Sequence, residues 1–279
     1  MKLALLADIH ANGPALEAVL ARIDVLGADR LVFMGDLVGY GPDPVAVTER
    51  VAGHVAKGAL VLMGNHDEAA ITGRGNMNPT AAAAIAWTHT QLGAAEKDFL
   101  KALPLKVELD DVLLVHADGS APGEWHYVTD KASASKSILA TAARITLCGH
   151  VHVPAVYHAM GGKVGDHRPV AGMPMPLTGP RRWLAVCGSV GQPRDGNPAA
   201  SFAILDTAAS TLTYHRAPYD ADGVARRIRD EAPAAARGGI PWPFARMWPG
   251  SLDWPDLSVC GSTIRTSSTA SAVAVHRKP

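Results

Sequence analysis

Two histidines, His150 and His152, are separated by one residue and follow residues 144–148, an apolar run typical of a buried strand. Neutral imidazole is the most common metal-binding side chain, and two rings at this spacing past a strand end can be directed into one cleft. An isolated His-x-His pair is weak evidence of a metal site. Its meaning depends on which other side chains reach the same place.

Four more strand-like runs end at residues of ligand type. They lead into Asp8-Ile9-His10, Gly35-Asp36, Gly64-Asn65-His66-Asp67 and His116. Taken singly, each residue is more often a turn residue, a helix cap or a hydrogen-bonded core histidine. The carboxyl ends of neighbouring parallel strands meet at one edge of a sheet, so we expect these residues to converge. The joint pattern predicts a metal site.

The chemistry of this ligand set favours particular ions. Carboxylate and amide oxygens mixed with imidazole suit Mn²⁺, Fe or Zn²⁺ better than Ca²⁺ or copper. Two Asp, one Asn and four His give seven ligand positions, which are too many for one ion and appropriate for two. One carboxylate would lie between the ions and offset their repulsion. Two divalent ions beside two aspartates would make the site electropositive, which suits an anionic substrate.

The elements that position these residues begin with a β-α-β unit. Residues 2–7 predict a strand buried on both faces, and residues 30–34 predict the next one. Between them, Pro14 fits a helix start, Gly27 fits a helix end, and the apolar residues between follow a helical period. A helix over 44–55 and a strand over 59–63 follow. This order favours parallel strands with right-handed crossovers.

The rest of the chain mixes helices with short strands. The predicted elements are a helix-rich region over 79–103, a hairpin over 105–115, a helix over 130–143, a strand over 144–148, a hairpin over 155–164, a long surface loop over 165–181, short strands over 183–187, 202–205 and 211–215, and a helix over 220–231. The hairpins turn at Asp110-Asp111 and at Gly162.

Composition narrows the functional classes. Of 279 residues, 48% are hydrophobic, and 26 basic residues balance 26 acidic ones, so a general nucleic-acid binder with a basic face is not expected. No apolar run approaches the ~20 residues that span a bilayer, and residues 2–7 are too short for a signal peptide. We therefore expect a cytoplasmic protein without membrane contact. Cys148 and Cys187 lie in apolar runs and are expected to be buried, reduced thiols.

A change in composition divides the chain. We predict a catalytic domain over residues 1–232 and a separate C-terminal segment over residues 233–279. In that segment tryptophans alternate with Pro and Gly before a Ser/Thr/Ala-rich tail. It is expected to be an ordered wrap followed by a loosely held tail. The alternative is a partner-binding segment, including one that makes a homo-oligomer.

In this order, the five ligand-bearing segments resemble the signature blocks of the calcineurin-like metallophosphoesterases, over about residues 1–155. The resemblance implies an α/β (α+β) fold, a four-layer αββα sandwich of two mixed β-sheets flanked by helices. It implies one metal held by Asp8, His10 and His152 and a second held by Asn65, His116 and His150. Asp36 would bridge the two metals, and His66 would lie near the leaving group.

Two further segments, residues 35–42 and residues 188–196, resemble a bacterial branch similar to diadenosine-tetraphosphatase-like proteins and small phosphodiesterases. Residues 188–196 are Gly-rich and contain one cation, Arg194. They are expected either to close over the cleft or to form a hairpin connection before Phe202. Where that branch usually has Asn-Pro before Gly-Ser, this chain has Val186-Cys187.

One departure concerns the substrate. Protein phosphatases of the superfamily carry Gly-Asp-x-x-Asp-Arg-Gly, whose second Asp orients the catalytic His and whose Arg clamps phosphate; here those positions are Gly39 and Tyr40. The loss of a bidentate clamp argues against a phosphoprotein substrate. His66 then needs another partner. Candidate substrate contacts are Arg194, His126, Arg181 and Tyr40.

These observations predict a dinuclear phosphoesterase, with Mn²⁺ favoured over Fe or Zn²⁺. A metal-bridging hydroxide would attack a phosphodiester or nucleotide-type small molecule in line, and His66 would protonate the leaving oxygen. The alternatives on the same fold are a phosphomonoesterase and a protein serine/threonine phosphatase. An amidohydrolase or metallo-β-lactamase is disfavoured because the first strand leads into Asp8-x-His10. A non-catalytic scaffold is disfavoured by the intact ligand set.

Overall fold

The computed structural model of the chain describes residues 1–231. Within them the strands, numbered along the chain, are β1 (Lys2–Leu6), β2 (Arg30–Phe33), β3 (Leu60–Val61), β4 (Lys106–Leu109), β5 (Val112–Val115), β6 (Ile145–Cys148), β7 (Ala155–Met160), β8 (Lys163–His167), β9 (Met175–Pro176), β10 (Arg182–Val186), β11 (Ala200–Asp206) and β12 (Thr211–Ala217). The α-helices are α1 (Gly13–Leu26), α2 (Pro44–Val55), α3 (Asn65–Thr72), α4 (Pro79–Gln91), α5 (Ala94–Lys101), α6 (Lys131–Leu139) and α7 (Ala221–Glu231). A 3₁₀ turn covers Pro122–Glu124.

The strands form two mixed sheets of six. The first has the order β3-β2-β1-β11-β12-β9, and the second has the order β4-β5-β6-β10-β7-β8. Strands β1, β2 and β3 are parallel to one another, whereas β11 is antiparallel to β1. In the second sheet β5, β6 and β10 are parallel, and the outer strands are antiparallel. Each sheet therefore presents the carboxyl ends of three parallel strands.

The alternation of side chains along β1 shows how the layers stack. Leu3 and Leu5 pack between the two sheets, while Ala4 and Leu6 pack on the opposite face against residues of α1, α2 and α5. The outer face of the second sheet packs against Ala134 and Ile138 of α6. Because apolar residues leave water on both faces of both sheets, the layers are helix, sheet, sheet, helix. The predicted αββα sandwich is confirmed.

Local signals placed most elements correctly. Helix α1 has Asn12 as its N-cap, accepting from the Ala15 N–H, and ends at Gly27 in the left-handed conformation. Two regions differ from prediction. The strand over 59–63 shrinks to Leu60–Val61, because Asn65 already begins α3. The loop over 165–181 contains the end of β8, the short strand β9 and the buried Leu177.

Residues 188–196 connect β10 to β11 and lie against the end of β1. The backbone N–H groups of Val190 and Gly191 donate to the carbonyls of Ala7 and Asp8, both at 2.9 Å. The Ser189 hydroxyl donates to the Asp8 carbonyl at 2.8 Å. Because residues 188–192 are buried and bonded to β1, this part of the segment is a fixed support for the strand end.

Three remaining expectations concern cysteines, membranes and the C-terminal segment. Cys148 and Cys187 are buried free thiols, as predicted. No helix among residues 1–231 is long and apolar enough to cross a membrane. Residues 233–279, with their tryptophans, lie outside the described residues, so the domain division stays a prediction.

The close approach of residues 188–192 to β1 yields a stability prediction. A Cβ on Gly191 would lie 1.8 Å from the Ile9 carbonyl oxygen, so Gly191→Ala should displace the segment and lower the free energy of unfolding by about 1–3 kcal/mol. Gly53 of α2 is exposed with open space around it, so Gly53→Ala should raise stability by about 0.5–1 kcal/mol. Urea denaturation of both variants tests this, and equal midpoints would contradict it.

Candidate metal centre

The ligand-type residues meet where the parallel strand ends of both sheets face each other. Asp8 and His10 follow β1 and Asp36 follows β2, while His116 follows β5 and His150 and His152 follow β6. Convergence at the edge of a single parallel sheet was the expectation. The structure corrects it: two strands of each sheet contribute, β1 and β2 of the first and β5 and β6 of the second. The centre is consequently enclosed by two sheets, and all six of these side chains are buried.

Most of these residues have a strained backbone. Positive φ angles occur at Asp8 (54°), His10 (49°), Asp36 (54°), His150 (66°) and His152 (65°). For non-glycine residues this conformation costs about 1–2 kcal/mol each and persists only where the surroundings enforce it. Hydrogen bonds between the loops enforce it here: the N–H of His10 donates to the Asp36 carbonyl at 2.9 Å, and that of His150 to the Asp8 carboxylate at 3.0 Å.

A first group of four side chains, Asp8, His10, Asp36 and His152, has ligand atoms within 4.8 Å of one another. The His10 and His152 Nε2 atoms are 3.0 Å apart. His152 Nε2 is 3.4 Å from Asp8 Oδ1, and His10 Nε2 is 3.7 Å from Asp36 Oδ2. This group matches the first ligand set that the resemblance implies.

The hydrogen bonds of the two imidazoles test whether a cation fits between them. His10 Nδ1 lies 3.2 Å from the Val38 carbonyl and His152 Nδ1 lies 2.8 Å from the Gln192 carbonyl. A carbonyl only accepts, so each Nδ1 carries the proton and each Nε2 presents a lone pair. Burial keeps the pKa of both rings well below the usual value, so both are neutral. Two lone pairs 3.0 Å apart repel, and a shared cation removes that repulsion.

A second group contains Asp36, His116 and His150, again with ligand atoms within 4.8 Å of one another. His116 donates from Nδ1 to the Met34 carbonyl at 2.8 Å, which turns Nε2 towards Asp36 Oδ2 at 3.4 Å. Four buried atoms here have no hydrogen-bond partner among residues 1–231: Asp36 Oδ2, Asn65 Oδ1, His116 Nε2 and His150 Nε2. Buried polar atoms without partners are rare, and all four are ligand atoms. The donor set therefore fits a second cation, with Asp36 common to both groups.

Charge in the metal-free centre is balanced by protons. Burial raises the pKa of Asp8 to about 8, against the opposing effect of His116. Burial alone would lower the pKa of His116, but the neighbouring Asp36 carboxylate outweighs it and raises that pKa to about 9. Burial would raise the pKa of Asp36, yet His116 and His66 hold it well below its usual value. At neutral pH, protons on Asp8 and His116 occupy positions that metal ions would take.

His66 lies in the first turn of α3, next to Asn65. Its ring contacts those of His10 and Tyr40, with centroids 4.8 and 4.6 Å away. Its Nδ1 is buried and faces Gly39, where a Cβ would be 2.4 Å from that atom. Within the part of the chain that the structure describes, no group replaces the missing aspartate as a hydrogen-bond partner of Nδ1. Burial lowers its pKa to about 4, so the ring is neutral at pH 7.

Asp67 is a positioning residue that the sequence analysis did not single out. Its carboxylate accepts from the N–H groups of Leu37 (2.8 Å), Val38 (3.2 Å) and Gly64 (2.9 Å). It thereby ties the loop after Asp36 to the start of α3. An aspartate three residues past a helix N-cap is a recognisable signal, but its reach to residues 37 and 38 is not.

The candidate substrate contacts divide into two pairs. Arg194 and Tyr40 lie at the centre: the Arg194 N–H donates to the His152 carbonyl at 3.2 Å, and the Tyr40 ring is 4.9 Å from that of His10. His126 and Arg181 are directed elsewhere. His126 Nδ1 pairs with Asp118 at 3.1 Å, and Arg181 precedes β10, at the end of the strand opposite the centre, over the Trp183 ring.

The aromatic residues on either side of His126, Trp125 and Tyr127, contact the metal centre, whereas His126 was the predicted contact. The Tyr127 ring stacks on His150 with centroids 4.0 Å apart, and the Trp125 ring packs edge-on against His116 at 5.8 Å. Glu68 accepts from the Trp125 indole N–H at 2.9 Å. The run Trp125-His126-Tyr127 after His116 was the available signal, but the choice of side chain required the loop conformation.

Comparison with known proteins agrees with this geometry. The model of the calcineurin-like phosphoesterase superfamily domain matches residues 1–210. The uncharacterized protein MJ0912 of Methanocaldococcus jannaschii is 30% identical over 225 residues, covering 78% of this chain and 88% of that protein. A metallophosphoesterase from Sphaerobacter thermophilus is 34% identical with a TM-score of 0.72, covering 82% of this chain and 94% of its own.

A more distant structure shares the fold. The protein PH1004 of Pyrococcus horikoshii OT3 is 19% identical with a TM-score of 0.66, and the match covers 84% of this chain and 95% of that one. The family match spans the ligand-bearing loops of both sheets and confirms the resemblance predicted from the five segments. The chain belongs to the calcineurin-like phosphoesterase superfamily, whose class is that of metal-dependent phosphoester hydrolases.

Proposed function

We propose that the protein is a dinuclear metal-dependent phosphoesterase that hydrolyses a phosphodiester or nucleotide-type small molecule. The observation that carries the proposal is the pair of buried ligand groups that share Asp36. Asp8, His10, Asp36 and His152 would hold one ion, and Asp36, Asn65, His116 and His150 the other. The mixed oxygen and imidazole donors favour Mn²⁺, with Fe and Zn²⁺ also accommodated.

When bound, two divalent ions supply Lewis-acid stabilisation of the phosphoryl oxygens and a nucleophilic water at neutral pH. The protein's own contribution is orientation. The carbonyls of Val38, Met34 and Gln192 fix the tautomers of His10, His116 and His152. Burial of the centre strengthens every charge interaction within it.

In this proposal His66 would assist the leaving oxygen. Its buried Nδ1 has no acceptor among the described residues, so the tautomer protonated on Nε2 avoids an unpaired buried N–H. That leaves the Nε2–H as the donor available to a substrate oxygen. A neutral imidazole at this position would stabilise the departing alkoxide by donating this hydrogen bond. Water would supply the proton that the alkoxide takes up, because loss of the Nε2 proton would leave an imidazolate.

A diester substrate is favoured over a phosphoprotein because no arginine occupies position 40. Tyr40 is buried, and burial raises its pKa to about 12, so it brings a neutral hydroxyl where the protein phosphatases have a cation. Phosphate binding then depends mainly on the metals, which need not select the double charge of a monoester. A small phosphomonoester is the alternative substrate on the same centre.

Metal removal and readdition test the proposal. Metal-stripped protein should be inactive, Mn²⁺ should restore hydrolysis of bis-p-nitrophenyl phosphate, and p-nitrophenyl phosphate should be the poorer substrate. Asp36→Asn should abolish turnover and reduce bound metal while the far-UV circular dichroism is unchanged, because Asp36 serves both ions. Activity that survives stripping would refute the metal mechanism. Activity confined to the monoester would refute the diester preference alone.

Metal affinity should depend on pH in a predictable direction. Asp8 and His116, with pKa values of about 8 and about 9, are protonated at pH 7 in the metal-free protein and must lose those protons to bind a cation. Mn²⁺ binding should therefore release protons and tighten from pH 6 to 9, by about tenfold per pH unit for each proton displaced. Isothermal titration calorimetry in buffers of different ionisation enthalpy measures both quantities. Affinity independent of pH would contradict it.

The role of His66 predicts a dependence on the leaving group. His66→Asn should lower kcat by about 10²–10⁴-fold for a dinucleoside phosphodiester, whose leaving group is a sugar hydroxyl, with bound Mn²⁺ unchanged. The loss should be much smaller for a p-nitrophenyl ester, whose leaving group departs without a proton. His126→Asn is the control, since its ring pairs with Asp118, and both rates should stay at the wild-type level. Equal losses for both esters would exclude assistance to the leaving oxygen by His66.

A further inference from the structure

Arg194 reaches the centre from the loop between β10 and β11. The arginine that clamps phosphate in protein phosphatases corresponds to Tyr40, in the loop after β2. Arg194 belongs to residues 188–196, and its backbone N–H is bonded to the carbonyl of the metal-ligand candidate His152 at 3.2 Å. Its Nη2 donates to Gln192 Oε1 at 2.8 Å, and the side chain also donates to the Tyr40 hydroxyl. Since the Tyr40 ring packs against His10 and His66, the guanidinium lies near a candidate metal ligand, His10, and near the histidine proposed to assist the leaving group, His66.

One donor of this guanidinium, Nε–H, has no acceptor among the described residues. Arg194 Nε is buried, and no hydrogen-bond partner for it exists among residues 1–231. A buried charged donor without an acceptor is costly, so such a group in a cleft indicates an absent ligand. The Arg194 charge also acts on the centre, lowering the pKa of His66, His150 and His152. An anion is the ligand that would satisfy both the donor and the charge.

The next residue anchors this arginine to the sheet. The Asp195 carboxylate forms an ion pair with Arg216 of β12, and their side chains are 10% and 18% exposed. Arg216 Nη1 also donates to the Ala199 carbonyl at 3.0 Å. A largely buried pair of this kind fixes geometry, and breaking it leaves an uncompensated charge. Residues 188–192 are bonded to β1, so the loop is held on both sides of Arg194.

We infer that Arg194 binds a non-bridging oxygen of the substrate phosphoryl group, and that the Asp195–Arg216 pair positions it. Gln192 and Tyr40 hold the guanidinium so that Nε–H remains for the ligand. The inference rests on the proposed function and specifies the chemistry it recognises: one anionic phosphoryl oxygen, present in monoesters and diesters alike. Arg216 acts through Arg194 and touches no substrate.

The binding role of Arg194 is tested with the Mn²⁺-loaded full chain. Arg194→Ala should lower kcat/KM for bis-p-nitrophenyl phosphate by about 10- to 100-fold, as expected for one charge-assisted hydrogen bond, and raise the inhibition constant of inorganic phosphate similarly. Bound Mn²⁺ should be unchanged. Arg181→Ala is the matched control, because that arginine lies at the other end of β10, and it should match the wild type. An Arg194→Ala enzyme with wild-type kcat/KM and phosphate inhibition would overturn the inference.

The positioning role is tested by a double-mutant cycle. Arg216→Lys keeps the charge but cannot bond Asp195 and Ala199 as the guanidinium does, and it should raise KM more than it lowers kcat. In an Arg194→Ala background the same substitution should have no further effect on KM. If the two substitutions change KM independently, so that their effects multiply in the double variant, Arg216 has a general structural role and the positioning role is refuted. Asp195→Asn replaces Arg216→Lys if the latter does not fold.

The failures are distinguishable. A wild-type enzyme without metal-dependent activity would refute the proposed function, and with it the basis for this inference. If the wild type is active and Arg194→Ala leaves kcat/KM and phosphate inhibition unchanged, only the inference about Arg194 is refuted.

Discussion

The repulsion between two imidazole lone pairs is the constraint on which the centre depends. His10 and His152 approach to 3.0 Å between Nε2 atoms, and each ring is fixed by a carbonyl from a different loop. Val38 belongs to the loop after β2, and Gln192 to the connection between β10 and β11. Neither ring can rotate away without losing a buried hydrogen bond. A cation between them would therefore join loops of both sheets, and its binding free energy would add to folding stability.

The same constraint explains why strained backbone is tolerated at the ligands. Five of them adopt positive φ angles, and the loops that carry them are cross-bonded by His10 to Asp36 and by His150 to Asp8. The strain is held by apolar layers on both faces of each sheet, because β1 cannot move without opening two cores. Rigid strands thus pin loops that would relax if isolated, which is how a scaffold holds ligands ready for a metal.

The sequence predicted ligand types and most elements because those signals are local. Pro14 and Gly27 mark the two ends of α1, and the apolar runs that end at Asp8 or His116 can be recognised without tertiary information. Strand direction also separates Arg181 from the ligands, because Arg181 precedes β10 and so lies away from the centre. The family resemblance implied two sheets, but the assignment of each ligand-bearing strand to one of them was not predictable, since a run of parallel strands does not reveal which sheet each joins. Tyr127 was missed for a similar reason, because loop torsions choose between neighbouring side chains.

The exchange at position 40 shows how a site can keep a chemical function while moving the residue that performs it. Tyr40 stands where the protein phosphatases have the arginine, and Gly39 stands where they have the aspartate that orients the catalytic histidine. The space beside Gly39 is filled by the His66 ring. The Tyr40 hydroxyl then accepts from Arg194, so the guanidinium arrives from the opposite loop and is oriented by the residue that replaced the clamp. One N–H directed at the substrate, instead of a two-pronged fork, suits a phosphoryl group with a single anionic charge. In our proposal this links the missing clamp, the preference for a diester and the largely buried Asp195–Arg216 pair in one arrangement.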